Sequence, residues 1–151
     1  MGTEILEVGD KAALICDEGP DLETQKGILE EIGFKIHTAE TAERAIERMR
    51  YTPYNVIIIN EAFGGATLET NGVLRYIAPL PMAQRRHWFV VLVGNSFRTL
   101  DAMQAYAQSV HLVVNPTDIS NLGPILKKSL VDFESFYAVY RSVLAETGEV
   151  A

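Results

Sequence analysis

One stretch, residues 54–65, constrains the fold of this chain more than any other. It reads Tyr-Asn-Val-Ile-Ile-Ile-Asn-Glu-Ala-Phe-Gly-Gly, and its centre, Val56 to Ile59, is an unbroken β-branched run. Such a run between polar residues is typical of a strand buried on both faces, as in the centre of a parallel sheet. Asn60 and Glu61 follow directly, so polar side chains are predicted at the carboxyl end of this strand. In open α/β sheets, ligands bind at that edge.

Four further apolar runs predict strands, and helical patterns lie between them. The strands are predicted at residues 11–16, 34–38, 88–93 and 112–114. One helix is predicted to begin after a cap at Asp21, and another to open at residues 96–99 with Leu100, Met103 and Tyr106 on one side. Strands that alternate with helices predict right-handed crossovers and a parallel sheet covered by helices on both faces.

The last predicted helix is unusually long, from about Asn121 to about Glu146, with Pro124 tolerated in its first turn. Covering one edge of such a sheet needs only about three or four turns, so the end of the helix is surplus. A surplus with apolar residues at a spacing of three or four is typical of an interface, here for a homodimer or a partner protein. The predicted interface residues are Phe133, Phe136, Tyr137, Tyr140 and Leu144.

This pattern divides the chain into a lead-in at residues 1–10, a globular domain at 11–131 and a helical extension with a tail at 132–151. The net charge of -7 argues against nucleic acid as a partner, because binding its phosphates needs a concentrated basic face. The single cysteine excludes an internal disulfide and a multi-thiolate zinc site. No signal peptide or bilayer-spanning run is visible, so we expect a cytoplasmic protein without membrane contact, cofactor or metal.

The chain resembles the receiver domain of bacterial response regulators, the CheY-like domain. The resemblance covers about residues 10–130 and rests on Ile-Gly-Phe at 32–34, the run that ends at Asn60, and Val-Val-Asn-Pro at 113–116. It implies a flavodoxin-like α/β fold, a doubly wound sheet of five parallel strands in the order 2-1-3-4-5, here with an extended C-terminal helix. It also raises the expectation of a cis peptide bond at Asn115–Pro116.

The same resemblance locates a phosphoacceptor pocket that is degenerate in this chain. A working receiver has two magnesium-binding acids after the first strand, a phosphoaccepting aspartate after the third, a Thr or Ser after the fourth, and a lysine after the fifth. An aromatic switch residue lies three positions before that lysine. In the order of the chain, these positions are occupied by Cys16 and Asp17 with Glu18 next, Asn60, Val93 or Gly94, Leu112 (the switch position) and Asn115.

These replacements predict a pseudo-receiver that is not an enzyme. An amide is a poor nucleophile, neither Val93 nor Gly94 can hydrogen-bond a phosphoryl oxygen through its side chain, and neutral Asn115 cannot balance phosphoryl charge. We therefore expect a phosphorylation-independent regulatory module that acts through protein contacts. The alternatives are a flavodoxin-like enzyme or cofactor binder, which the acidic turn after the first strand disfavours, and a receiver phosphorylated at an unusual acceptor such as Glu61.

Individual polar residues carry further expectations. Asn60 is expected to hydrogen-bond Asp17, Asn115 or a local backbone group, as a neutral filler of the pocket. Glu61 should not share the place of Asn60, because successive strand residues point to opposite faces. Asp17 and Glu18 are expected to form a solvated acidic rim, although a weakly held divalent ion stays an alternative. Cys16 is expected to be an inert thiol. The three histidines, His37, His87 and His111, show no ligand spacing.

Overall fold

A computed structural model describes residues 10–85 and 87–146, and it describes the side chains of these residues except 82, 83 and 136–146. Five parallel strands form one sheet in the order β2-β1-β3-β4-β5. This order confirms the predicted doubly wound, flavodoxin-like α/β fold. The strands are β1 (Ala12–Cys16), β2 (Lys35–Thr38), β3 (Val56–Asn60), β4 (Phe89–Val93) and β5 (Leu112–Val114).

Helices connect the strands and lie on both faces of the sheet. They are α1 (Leu22–Ile32), α2 (Ala42–Tyr51), α3 (Gly72–Ile77), α4 (Met82–Arg85), α5 (Ala102–Ala107) and α6 (Leu122–Glu146). Two short 3-10 segments, Phe63–Gly65 and Pro116–Asn121, precede α3 and α6. No described helix combines the length and the apolar character needed to cross a membrane.

Alternate residues of each central strand enter two separate hydrophobic cores. On one face, Ile57 and Ile59 pack with residues of α2, α3 and α5. On the other face, Val56 and Ile58 pack with Leu29 of α1 and with α6. All four of these β3 residues are fully buried, as expected for a strand covered on both sides. The β-branched run therefore places β3 at the centre of the molecule and its polar end at the carboxyl edge.

The helix after β4 differs from the prediction. It begins at Ala102 rather than at residues 96–99, because the side chain of Asp101 caps it by accepting a hydrogen bond from the backbone N–H of Gln104. Leu100 adopts a φ of 68°, outside the helical range. The apolar residues expected on one side of this helix are exposed: Leu100 by 60%, Met103 by 76% and Tyr106 by 83%. They form a surface rather than part of the core.

The long C-terminal helix is confirmed, with Pro124 in its first turn. One predicted interface residue, Phe133, instead contacts the protein's own rings: its centroid lies 5.4 Å from that of Phe89 and 5.0 Å from that of His111. The packing of α6 thus continues past the predicted domain boundary at residue 131. Four predicted interface side chains and most of the predicted lead-in lie outside the described ones: Phe136, Tyr137, Tyr140, Leu144 and residues 1–9.

Candidate functional site

The predicted pocket residues come from four strand ends that meet at the carboxyl edge of the sheet. Cys16 is in register with Ile59, so Asp17 lies beside the end of β3. Asn60 is in register with Val93, and Val93 with Val114. Gly94 and Asn115 follow these last two residues directly. The structure therefore brings β1, β3, β4 and β5 together at this edge, although their side chains do not converge on one point.

Asp17 is deeply buried at this edge, with only 3% of its surface exposed. Its Oδ1 accepts a hydrogen bond from the backbone N–H of Gly19 at 2.8 Å. Its Oδ2 accepts from Gln25 Nε2 at 2.9 Å and from Asn60 Nδ2 at 3.3 Å. The expectation of a solvated rim is wrong for Asp17, because these three donors replace water around the carboxylate. Glu18 stays at the surface, where Oε2 accepts from the backbone N–H of Gly64 at 3.0 Å.

Gln25 was not among the predicted site residues, yet it is fully buried on α1. The sequence contains a signal for this buried position. Gln25 lies three residues after Leu22 and four before Leu29, so it occupies a position of the apolar stripe of α1. A polar residue at such a position indicates a buried hydrogen-bond partner elsewhere in the fold.

Asn60, at the phosphoacceptor position, makes the predicted hydrogen bond to Asp17 and a second, local one. Its Oδ1 accepts from the backbone N–H of Ala62 at 2.9 Å. Reversing the amide would set oxygen against the Asp17 carboxylate and nitrogen against an N–H group, so the orientation is determined by both partners. Asn60 therefore presents a donor, not a ligand oxygen, to the Asp17 carboxylate.

Asn71 fixes the backbone immediately after β3. Its Nδ2 donates to the carbonyl oxygens of Asn60 at 3.0 Å and Glu61 at 3.1 Å. Its Oδ1 accepts from the N–H groups of Val73 and Leu74, both at 3.1 Å, and so caps α3. One buried side chain thus holds the end of the central strand and the start of the following helix in place.

Glu61 points away from Asn60, as the alternation of a strand predicts, and fills the space above Gly94. Its Oε1 accepts from Ser96 Oγ at 2.9 Å, and its Oε2 accepts from the N–H of Ser96 at 3.1 Å. A Cβ atom on Gly94 would lie 2.2 Å from Oε2 of Glu61, which is closer than two non-bonded atoms can approach. Val93, the other residue assigned to the hydroxyl position, is buried in β4. A carboxylate of the chain itself therefore lies where the resemblance placed a phosphate-binding hydroxyl.

Asn115, at the position of the lysine, points towards the loop after β4. Its Nδ2 donates to the carbonyl of Phe97 at 2.8 Å, and its Oδ1 accepts from the N–H of Thr117 at 3.0 Å. Its own N–H donates to Thr99 Oγ1 at 2.8 Å. Asn60 is paired with Asp17 rather than with Asn115. The expected cis bond is not found, since every described peptide is trans.

Leu112, Cys16 and His37 are buried, whereas His111 as a whole is exposed. Leu112, at the switch position, is buried between the sheet and the α1–α6 layer. Cys16 is fully buried, and burial, reinforced by the charge of Asp17, raises the pKa of its thiol, as expected for an inert cysteine. Desolvation of the His111 ring, which packs against Phe89 and Phe133, lowers its pKa to about 4, with a smaller contribution from Arg85. His37 contacts Tyr54 Oη through Nδ1 at 2.6 Å.

The residues at this edge do not fit a magnesium ion. Magnesium requires several oxygen ligands in a nearly octahedral arrangement. Here one carboxylate, Asp17, already accepts three hydrogen bonds, and its neighbour Asn60 offers it a nitrogen. In the described part of the chain, no three His, Cys, Asp or Glu side chains form a group that could hold a metal ion. The edge is closed by its own hydrogen bonds.

Comparisons with known proteins identify the fold. No protein family described from sequence matches this chain, and neither does any curated protein. Solved structures do match: NtrX from Brucella abortus in complex with ADP superimposes with a TM-score of 0.67 at 18% identity, over 93% of this chain. This chain spans only 30% of the NtrX chain.

Two shorter proteins match over nearly their whole length. A CheY-like receiver domain protein from Methanospirillum hungatei JF-1 gives a TM-score of 0.62 at 16% identity, covering 83% of this chain and 97% of its own. CheY4 of Vibrio cholerae gives 0.63 at 13% identity, covering 80% and 98%. These likenesses show that the chain has the fold of response regulator receiver domains.

Proposed function

We propose that this protein is a non-catalytic regulatory module that acts through protein contacts and does not take up phosphate. The observation that carries the proposal is the hydrogen bond from Asn60 Nδ2 to the buried Asp17 carboxylate. It puts an amide where an acceptor would need a carboxylate nucleophile, and the same amide stabilises the one acid that could have bound a cation.

The residues around Asn60 support the proposal independently. Asn115 supplies no positive charge, and its side chain is held by Phe97 and Thr117. The space beside Gly94 is filled by the Glu61 carboxylate, which would repel a phosphoryl group. An incoming phosphate would therefore meet two carboxylates, Asp17 and Glu61, without a cation in place to balance its charge.

The protein contacts are supported by apolar surface that the domain itself does not cover. Met103 and Tyr106 on α5 are exposed by 76% and 83%, and large apolar side chains exposed side by side indicate an interaction surface. The helix α6 runs thirteen residues beyond Phe133, to Glu146. We propose that α6 joins two copies of the chain into a homodimer and that the α5 surface receives a different protein.

Treatment with a small-molecule phosphodonor and magnesium, followed by intact-protein mass spectrometry, tests the phosphate-independent function. The parent protein is expected to gain no phosphoryl group. Asn60→Asp is the matched variant, since it restores a carboxylate acceptor but sets it beside Asp17, and magnesium is expected to raise its melting temperature and not that of the parent. A phosphoryl group on the parent, at Glu61 or elsewhere on this edge, would contradict the proposal.

A further inference from the structure

A groove of about 280 Å³ lies at the amino edge of the sheet, between the end of α1 and the middle of α6. We call it the amino-edge groove. Its apolar lining comes from Ile32, Phe34 and Leu130, and Val131 stands at its margin with 61% of its surface exposed. An apolar groove with an exposed aliphatic residue beside it can accept a side chain of another molecule.

Charged residues surround the groove without being paired. Lys11, Lys127 and Glu134 line it, and within the described residues none of the three takes part in an ion pair. Lys128, one position further along α6, does pair, with Asp132 at 3.3 Å. Unpaired charges around an apolar centre are the usual arrangement at the rim of a protein interface.

The order of these residues along α6 is self-complementary. Lys127 and Glu134 are seven residues apart, which is about two helical turns, so they lie on the same side of α6. Leu130 and Val131 lie midway between them. Two such helices placed antiparallel bring each lysine opposite a glutamate and the apolar pairs opposite each other. A parallel arrangement would instead set lysine against lysine and glutamate against glutamate.

We propose that a second copy of this chain occupies the amino-edge groove, related by a two-fold axis that passes near residues 130 and 131 of α6. In this dimer Val131 of each copy enters the groove of the other, and Lys127 of each pairs with Glu134 of the other. Such an interface uses one surface twice, as a two-fold dimer requires. The inference rests on the proposed association through α6 and specifies its register and the groove it fills.

In the same register, the C-terminal end of α6 lies along the surface of the second copy. It sets position 137 of one copy opposite Pro124 of the second, and position 140 opposite Asn121. The part of α6 that continues beyond Phe133 thus runs beside the beginning of the second copy's α6. This enlarges the contact beyond the small groove itself, which alone would be less than a stable dimer buries.

Sedimentation velocity of the full chain at several concentrations tests the proposal. The parent is expected to dimerise, and Val131→Asp to raise the dimer dissociation constant at least about tenfold, since a buried aliphatic contact of about 1.4 kcal/mol or more is lost. Circular dichroism and thermal melting check that this variant is folded. Lys128→Glu is the matched control: it changes the same charge one position away, outside the groove, and is expected to dimerise like the parent.

Charge exchange tests the antiparallel register directly. Lys127→Glu and Glu134→Lys are each expected to weaken the dimer, because each sets like charges opposite one another twice. The double variant carrying both changes restores two attractive pairs and is expected to dimerise again. A mixture of the two single variants is expected to form a heterodimer, since each contact between them then joins a lysine to a glutamate.

Several outcomes would contradict the proposed dimer. A parent that stays monomeric at about 100 µM, a concentration far above nanomolar to micromolar dimer affinities, would overturn the inference. So would a double variant that fails to recover, or a Lys128→Glu variant as weak as Lys127→Glu. Loss of the dimer on deleting residues 1–9 from a chain that stays folded would assign the contact to that segment instead. A monomeric parent would also overturn the proposed homodimer through α6. None of these results touches the phosphodonor experiment, so the phosphate-independent part of the proposed function fails or stands separately.

Discussion

The two edges of the central sheet differ in how far their polar side chains are bonded within the chain. At the carboxyl edge, Asp17, Asn60 and Glu61 are all engaged in hydrogen bonds within the chain. At the amino edge, Lys127 and Glu134 flank an apolar groove without an ion pair among the described residues. Polar groups that are satisfied internally stabilise the fold, whereas unpaired ones beside apolar surface are available to another molecule. The comparison assigns a stabilising role to the carboxyl edge and, under the proposed dimer, a recognition role to the amino edge.

Removing the central acceptor of the carboxyl edge should have the largest effect. Asp17→Ala leaves the buried amide of Gln25 and the partly buried amide of Asn60 without their acceptor, and each orphaned donor costs about 1–3 kcal/mol. We expect the free energy of unfolding to fall by about 4 kcal/mol in denaturant titration, by the same principle. The matched change at the other edge, Lys127→Gln, should alter the stability of the monomer by less than about 0.5 kcal/mol. Equal losses of stability in Asp17→Ala and Lys127→Gln would contradict the contrast between the two edges.

A slightly smaller effect is expected from pH, because the amino edge also contains a titrating histidine whose ring packs against aromatic side chains although the residue as a whole is exposed. His111 stacks on Phe89, and its Nδ1 accepts a hydrogen bond from the N–H of Val90 at 3.0 Å. Desolvation of the ring, with a smaller contribution from Arg85, lowers its pKa to about 4 from the ordinary 6.5. Between these values the unfolded chain binds a proton that the folded one does not. Stability is therefore complete above pH 6.5 and falls by no more than about 2–3 kcal/mol as the pH decreases to 4, because solvent around the exposed residue screens part of the effect.

Thermal melts of the parent and of His111→Asn across that range check the contribution of His111. Asparagine keeps an acceptor near the place of Nδ1 and has no charge to gain. The variant should lose most of the decrease in stability between pH 6.5 and 4. An unchanged pH profile in His111→Asn would show that other groups cause the acid sensitivity.

The smallest expected effect comes from the contact between Glu61 and Gly94. Gly94→Ala would force the Glu61 carboxylate off Ser96, because the added Cβ meets Oε2, Cδ and Cγ within 2.6 Å. We expect a loss of about 2 kcal/mol, from strain and broken hydrogen bonds. Gly27→Ala, on α1 with nothing within 4 Å of the new methyl group, should instead gain about 0.5–1 kcal/mol. Adding Glu61→Ala to Gly94→Ala should recover part of the loss, and no recovery would show that the strain lies elsewhere.

The sheet was predictable from sequence because its signals are local. The β-branched run at Val56 to Ile59 identified the central strand, and Pro124 was compatible with the first turn of α6. The cap of the helix after β4 was missed, since Asp101 competes with Ser96 and Thr99 for that role. Apolar spacing also predicted that Met103 and Tyr106 would lie on one side of this helix, yet periodicity alone does not say whether the domain or another molecule covers an apolar face.

The hydrogen bonds of the site were only partly predictable. The pairing of Asn60 with Asp17 followed from the expected neighbours at the strand ends. The contact between Glu61 and Ser96 joins residues 35 positions apart across the loop after β4, and no spacing in the sequence indicates it. The burial of Asp17 depends on Gln25, whose orientation is set by the packing of α1 on the sheet. Such contacts arise from tertiary structure and carry no local pattern.

The contact of Glu61 with Gly94 also bears on how this protein could evolve. A threonine or serine at position 94 would carry a Cβ into the volume that the Glu61 side chain now fills. A hydroxyl side chain therefore cannot be accommodated at position 94 while Glu61 remains in place. An aspartate at position 60 would likewise face the Asp17 carboxylate directly. If the protein takes up no phosphate, as we propose, acquiring that chemistry by single substitutions would pass through intermediates that are each less stable than the present protein. The contacts of Glu61 with Gly94 and of Asn60 with Asp17 would thus preserve the proposed phosphate-independent state.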